Sequence, residues 1–238
     1  MEINAKNVAA ICAAHHVSIT EDQAQQLLVY YQMLVEKNKV MNLTSITEFE
    51  EFMVKHIVDS LVIGQYVDLT NVGSMIDVGT GAGFPGLPLS IFYPQKKTLL
   101  LDSLAKRIGF LDEVIHNLGI QNVETVHSRS EDLAKNKSYR EGFDLAVARA
   151  VASLNVLSEY CLPYVKVGGM FVAYKSGNVA EEVEASKKAV KVLGGKIEAV
   201  HSFEIDGMGR SLVVIRKTAH TPGKYPRKAG TPKNSPIM

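Results

Sequence analysis

The sequence predicts an α/β fold: a doubly wound, mostly parallel sheet with an antiparallel hairpin at one edge and a helical subdomain at the N-terminus. Three observations predict it. From Ser74 onward, short apolar runs alternate with helical patterns. Those runs are continuously apolar, as strands covered on both faces are. The first 70 or so residues instead keep helical spacing throughout. A chain of 238 residues has room for one large domain and an appendage. The expected division is a helical subdomain over 1–70, the α/β domain over 71–217 and a flexible tail over 218–238.

In the N-terminal part, Thr20 with Gln23 and Thr47 with Glu50 each fit the capping-box pattern, a hydroxyl followed three residues later by Glu or Gln. Leu27, Tyr31, Leu34 and Val35 then stripe the first helix, and Phe49, Phe52, Met53, Ile57 and Leu61 the second. Asn42-Leu43-Thr44-Ser45 connects them. The first strand is Ser74 to Val78, followed by a glycine-rich turn and a helix from about Pro85, where proline is tolerated. Thr98 to Asp102 is the second strand. Ile108, Leu111, Val114, Ile115 and Leu118 line one face of a helix ended by Gly119. Val123 to His127 and Phe143 to Ala148 are the third and fourth strands, and Val167 to Lys175 the fifth. A polar helix spans about 179 to 193. Lys196 to Ile205 and Leu212 to Lys217 form the hairpin, joined by Asp206-Gly207-Met208-Gly209. The tail holds Pro222, Pro226, Pro232 and Pro236 without apolar periodicity, so it is expected to be extended or disordered.

Composition narrows the classes. Hydrophobic residues are 46% and charged residues 21%, which is ordinary for a globular chain. Cys12 and Cys161 alone give no disulfide framework and no thiolate metal cluster. No apolar stretch nears the roughly 18 residues of a membrane span, and Met1 to Val17 lacks the charge layout of a secretory signal. A cytoplasmic, metal-free monomer is the expectation. The formal charge of +1 conceals an uneven distribution. Every acid lies at or before Asp206, and Arg210, Arg216, Lys217, Lys224, Arg227, Lys228 and Lys233 follow it. The first 206 residues therefore carry −6 and the last 32 carry +7. That asymmetry fits either a basic arm for RNA phosphates or a solvated terminus.

The most informative stretch is Asp77-Val-Gly79-Thr-Gly81-Ala-Gly83-Phe84-Pro85-Gly86. Glycines where a strand enters a helix let the backbone approach a ligand closely, beyond the carboxyl ends of the strands. Two cofactor readings fit. Gly81-x-Gly83-x-x-Gly86 matches the dinucleotide fingerprint of an NAD-dependent oxidoreductase. The run also reads as acid-x-Gly-x-Gly-x-Gly, with Asp77 facing a cationic or amine-bearing ligand. Both place an acid at the end of the second strand for ribose hydroxyls, and Asp102 stands there. No catalytic dyad, metal-ligand grouping or Gly-x-Ser-x-Gly elbow accompanies the loop, and the fourth strand ends on a cation, Arg149. A reaction that needs only positioning suits this set, and methyl transfer from a sulfonium is one.

The runs Ile76 to Pro88, Leu101-Asp102-Ser103 with Lys106-Arg107 and Phe110-Leu111, and His127-Ser128-Arg129-Ser130-Glu131 closely resemble the glucose-inhibited division protein B family. Asn42-Leu43-Thr44, His56-x-x-Asp59-Ser60 and Ala148-Arg149-Ala150 extend the likeness over about residues 20–217. The resemblance implies a Rossmann-like class I methyltransferase that uses S-adenosylmethionine to methylate ring nitrogen 7 of one guanine in small-subunit (16S) ribosomal RNA. It implies that Gly79 and Phe84 line the cofactor, that Ser130 and Glu131 flank its adenine and that Arg149 closes the site.

The chemistry is compatible with this, because guanine ring nitrogen 7 has a free lone pair and needs no general base. Asp77, Gly79, Gly81, Phe84, Asp102, Ser130, Glu131 and Arg149 are thus the expected cofactor residues. Asn42, Arg129, Arg149 and Lys175 are expected around the reacting base, and Arg129, Lys175 and Arg210 on the RNA. Arg149 is expected to bond the guanine carbonyl or a phosphate. Asn42 equally fits a turn cap, and Arg129 and Lys175 fit solvated strand ends. His56 and Asp59 read as an intrahelical pair. A non-catalytic RNA-binding module with the same fold is the remaining alternative.

Overall fold

The computed structural model describes residues 2–149 and 152–238. Ala150 and Val151, part of the run read after the fourth strand, lie outside the described residues. Seven strands form one sheet in the order β3-β2-β1-β4-β5-β7-β6, with β1 Ser74–Val78, β2 Lys97–Asp102, β3 Val123–His127, β4 Phe143–Arg149, β5 Val165–Ser176, β6 Gly195–Ile205 and β7 Met208–Lys217. The first five pair in parallel, and β7 runs antiparallel between β5 and β6. The expected mostly parallel sheet with an antiparallel edge is therefore what forms. The order reverses between β1 and β4, and in open α/β sheets ligands lie at such a switch point, beyond the strands' carboxyl ends.

Alternate residues of each central strand face opposite sides. Met75 of β1 packs against the N-terminal helices, whereas Ile76 and Val78 pack on the other face with Leu157, Phe171 and Ile215. The N-terminal helices α1 (Ala5–Ala14) and α2 (Glu21–Asn38) share one core with the first face of the sheet. The capping box of α2 forms as expected, Thr20 accepting from Gln23 N and returning its own N–H to the Gln23 side chain. The second does not. Glu48, not Thr47, caps α3 (Phe49–Phe52), its carboxylate accepting the Glu51 N–H at 2.8 Å, while the Thr47 carbonyl accepts from the Tyr31 hydroxyl.

After α3 the chain widens into a π-helical turn over Met53–Val58, then resumes as α4 (Asp59–Leu61). Such turns are frequent at functional sites. The hairpin turn is tighter than expected. Asp206 and Gly207 alone make it, both with positive φ, 48° and 72°, as a type I′ turn requires. Strand β7 consequently starts at Met208.

The tail departs furthest from expectation. It lies folded on the body and contains a short helix, Thr231–Asn234. Arg140 donates to the carbonyls of Thr221 (2.8 Å) and Tyr225 (2.9 Å). Arg227 grips Glu159, whose side chain is 1% exposed, through Nε and Nη2. Of the seven bases after Asp206, Arg210, Arg216, Lys217 and Arg227 pair with Asp59, Glu198, Glu141 and Glu159. The charge asymmetry along the chain is thus largely cancelled in space, and among the described residues the bases after Asp206 without an ion pair are Lys224, Lys228 and Lys233. Composition suggested disorder because it does not register these partners, which lie 68 to 85 residues away in sequence for Arg227 and Arg140.

Candidate functional site

The glycine loop leaves β1 and enters α5 (Gly86–Phe92), and its shape is fixed from behind. Asp77 is fully buried. Its Oδ2 accepts from the Thr80 hydroxyl (2.7 Å) and the Gly86 N–H (2.8 Å), and its Oδ1 has no hydrogen-bond partner among the described residues. The structure therefore corrects the expectation that Asp77 faces a ligand: it braces the loop. A Cβ on Gly86 would lie 2.7 Å from the Asp77 Cβ and 2.5 Å from Leu100 Cδ2, so this glycine is required for helix–strand contact. Gly83 is closed off as well, because a Cβ there would lie 2.6 Å from the Tyr30 hydroxyl, which itself donates to the Ala82 carbonyl. Gly81 differs. With φ +63° it projects toward open space, nothing lying within 4 Å of a built Cβ. The dinucleotide match fails on these contacts, since its second glycine meets Tyr30 instead of a pyrophosphate.

Burial pushes the Asp77 carboxyl up to about 6, against 3.8 for an ordinary Asp, with the Thr80 and Gly86 bonds opposing. The folded state therefore holds this proton more tightly than the unfolded chain. As pH rises from about 4 to about 6, the unfolded chain releases it first and the folded state loses relative stability. Asp77→Asn removes that dependence. The variant's stability relative to the wild type is expected to rise by about 2 kcal/mol between pH 4 and pH 7, as read from urea unfolding at each pH. A constant difference would contradict the account.

Two cavities open at the strand ends. The larger, about 760 Å³, is lined by Gly79, Gly81, Phe84, Asp102, Arg107, Arg129, Ser130, Glu131 and Arg149, and by Gly230, Lys233 and Pro236 of the tail. Asp102 ends β2, accepting from Gly81 N (2.9 Å), Leu104 N (2.9 Å) and Arg107 Nη1 (3.3 Å). Ser130 donates to the Tyr160 carbonyl. The smaller, about 450 Å³, is lined by Lys55, Asp59, Lys175, Glu182 and Arg210.

His56 and Arg149 line both cavities. Phe84 lies under them, its ring stacked on His56 at 4.4 Å and 12° and 5.1 Å from the Arg149 guanidinium. Arg149 Nη1 donates to Asp59 Oδ2 (2.7 Å) and the Lys55 carbonyl (3.1 Å), and Nη2 to His56 Nδ1 (3.1 Å). Arg210 Nε takes the other Asp59 oxygen at 2.8 Å. His56 and Asp59 are therefore no intrahelical pair. The π-helical turn brings both onto Arg149. Burial first, then the Arg149 charge, drives the His56 pKa down to about 3. The ring is neutral, with Nδ1 accepting from Arg149, so Nε2 carries the proton given to Thr44 Oγ1 at 2.9 Å. His56 has no lone pair free, and both Asp59 oxygens are held.

The expected residues divide accordingly. Gly79, Gly81, Phe84, Asp102, Arg129, Ser130, Glu131 and Arg149 meet at the larger cavity, and Lys175 and Arg210 at the smaller. Lys175 is not a solvated strand end: Nζ binds Glu182 Oε1 (2.6 Å) and the Ala152 carbonyl (2.8 Å). Asn42 is exposed and lines neither cavity. The loop role falls to Asn38, whose Oδ1 accepts from Leu43 N (2.7 Å) and Thr44 N (3.0 Å). The sequence reading missed Tyr30 behind the loop and the joint work of His56 and Asp59. No spacing rule signals contacts of Arg149 across 90 and 93 residues.

The sequence matches the GidB family, described as rRNA small subunit methyltransferase G, over residues 23–213. The chain belongs to this family. It is 52% identical over 221 residues to the Ribosomal RNA small subunit methyltransferase G of Alkaliphilus metalliredigens, covering 92% of each chain. It is 46% identical over 237 residues to the protein of that name from Bacillus subtilis, covering 99% of each. Among solved structures, M. jannaschii TYW2 in complex with AdoMet is similar in fold, with TM-score 0.55 at 12% identity over 73% of this chain and 79% of that one.

Proposed function

We infer that this protein transfers a methyl group from S-adenosylmethionine to ring nitrogen 7 of a guanine in small-subunit ribosomal RNA, acting as a cytoplasmic monomer without a metal. The observation that carries the reading is the pair of cavities meeting at Arg149 and His56, where the two groups beside Arg149 that could act as a base, His56 and Asp59, are both engaged. His56 has both nitrogens engaged, and Asp59 both oxygens. Guanine ring nitrogen 7 brings its own lone pair, so positioning suffices.

The larger cavity is of a size usual for small-molecule sites. Gly81, open toward it, suits a cofactor that the backbone must approach. Asp102 would hold ribose hydroxyls, and Ser130 and Glu131 the adenine. When bound, S-adenosylmethionine supplies an electrophilic methyl group. The chain's own task is to place the base. Three of the five N–H donors of Arg149 are engaged among the described residues, and the remaining two serve the guanine carbonyl or a phosphate. Lys55, Lys175 and Arg210 give the smaller cavity a basic rim for the RNA backbone, and Arg129 lies at the mouth of the larger.

Incubated with labelled S-adenosylmethionine, the protein is expected to label small ribosomal subunits or their RNA, and not large-subunit RNA. Label on a small metabolite or a protein alone would overturn the reading.

A further inference from the structure

The tail reaches the larger cavity at one end. Gly230, Lys233 and Pro236 line it together with Ser130 and Glu131. Glu131 is 5% exposed, and its Oε1 accepts the Gly230 N–H at 2.8 Å. Gly230 holds φ +83°, a conformation that glycine adopts without strain. The segment is fastened on both sides. Before it, Arg227 is locked to Glu159, and Arg140 holds the carbonyls of Thr221 and Tyr225. Within and after it, Pro232 is buried, and Ile237 packs with the core on the second face of the sheet.

Position says what this end of the cavity is for. Asp102 ends β2, while Glu131 follows β3, the next strand outward. A nucleoside whose ribose lies at Asp102 therefore extends its base toward Glu131. With Oε1 committed to Gly230, the second oxygen of Glu131, which takes part in no hydrogen bond among the described residues, is left for a ligand donor. The exocyclic amine of adenine is a donor, whereas a carbonyl in its place would meet a carboxylate oxygen with no proton between them.

We propose that residues 229–238 form a cofactor-binding strap: Gly230 fixes the Glu131 carboxylate for the adenine amine, and Gly230, Lys233 and Pro236 wall that end of the larger cavity. This rests on the reading of that cavity as the S-adenosylmethionine site. The tail's part in this family member is then on the cofactor side, not in RNA-phosphate contacts.

The test uses S-adenosylhomocysteine as the probe, with two readouts independent of methyl transfer. In calorimetry, a chain ending at Lys228, which keeps the Arg227–Glu159 and Arg140 contacts, is expected to bind it at least ten-fold more weakly than the full chain. In the unmodified protein, which avoids any loss of fold, saturating S-adenosylhomocysteine is expected to slow tryptic cleavage after Lys228 and Lys233 at least ten-fold. Equal affinity of the two chains, or cleavage at an unchanged rate, overturns the strap alone. Failure of the full chain to bind the probe overturns the cavity reading, and the strap with it.

Discussion

Replacing Arg149 by alanine is expected to lower kcat/KM for methyl transfer by about 100- to 1,000-fold, the usual scale for removing a preorganised charged donor from an enclosed site. The argument is geometric. Arg149 is the last residue of β4, adjoining β1 at the switch point, and its guanidinium is held from three directions by Asp59, the Lys55 carbonyl and His56. A donor so fixed needs no reorganisation when the base arrives. Arg149→Lys should recover little, because an ammonium cannot hold three partners in this planar arrangement and still present donors to the RNA. A merely structural role is distinguished by His56. Burial is the first cause of its low pKa and Arg149 the second, so its ring titration in Arg149→Ala should move up, as read by NMR. Full transfer activity with an unmoved His56 would remove Arg149 from the account.

The largest expected effect on stability comes from Arg227→Ala. Glu159 has a side chain 1% exposed, and Arg227 supplies three charged hydrogen bonds and its backbone N–H. Truncating Arg227 leaves an unpaired carboxylate inside the core of the second face. The expected loss is about 3–5 kcal/mol, the scale for breaking a buried pair by deleting one partner, read as a lower urea midpoint at unchanged slope. The pair as such need not be strongly stabilising. Arg227→Ala combined with Glu159→Gln should therefore regain part of the loss, since the buried charge is gone as well. A single-variant loss below about 0.5 kcal/mol would place the tail free in solution, as composition alone suggests.

The sheet was legible in the sequence because parallel strands buried on both faces are continuous apolar runs, and Ser74 to Val78 and Thr98 to Asp102 read directly as such. The glycine loop was legible as a ligand site, but the duties of its members were not. Asp77, Gly83 and Gly86 face buried atoms, and only three-dimensional contacts separate them from the open Gly81. His56 and Asp59 were misjudged because their spacing fits a regular helix, whereas the chain there is π-helical and turns both toward Arg149. The tail was misjudged for a related reason. Four prolines and an excess of bases describe a disordered segment only where the body offers no carboxylates, and here Glu141, Glu159 and Glu131 receive it. The hairpin shows the smaller kind of miss. Two residues of positive φ suffice for the turn, so β7 gained the residues assigned to the loop.

The central claim concerns one atom of one base, and its most direct test locates the methyl group. Small-subunit RNA incubated with the protein and S-adenosylmethionine is reduced with borohydride and treated with aniline, which breaks the chain where a guanine carries a methyl group on ring nitrogen 7. The account expects scission at a single position, absent without the protein and strongly reduced with Arg149→Ala. Methyl incorporation without scission, or scission at many guanines, would contradict it.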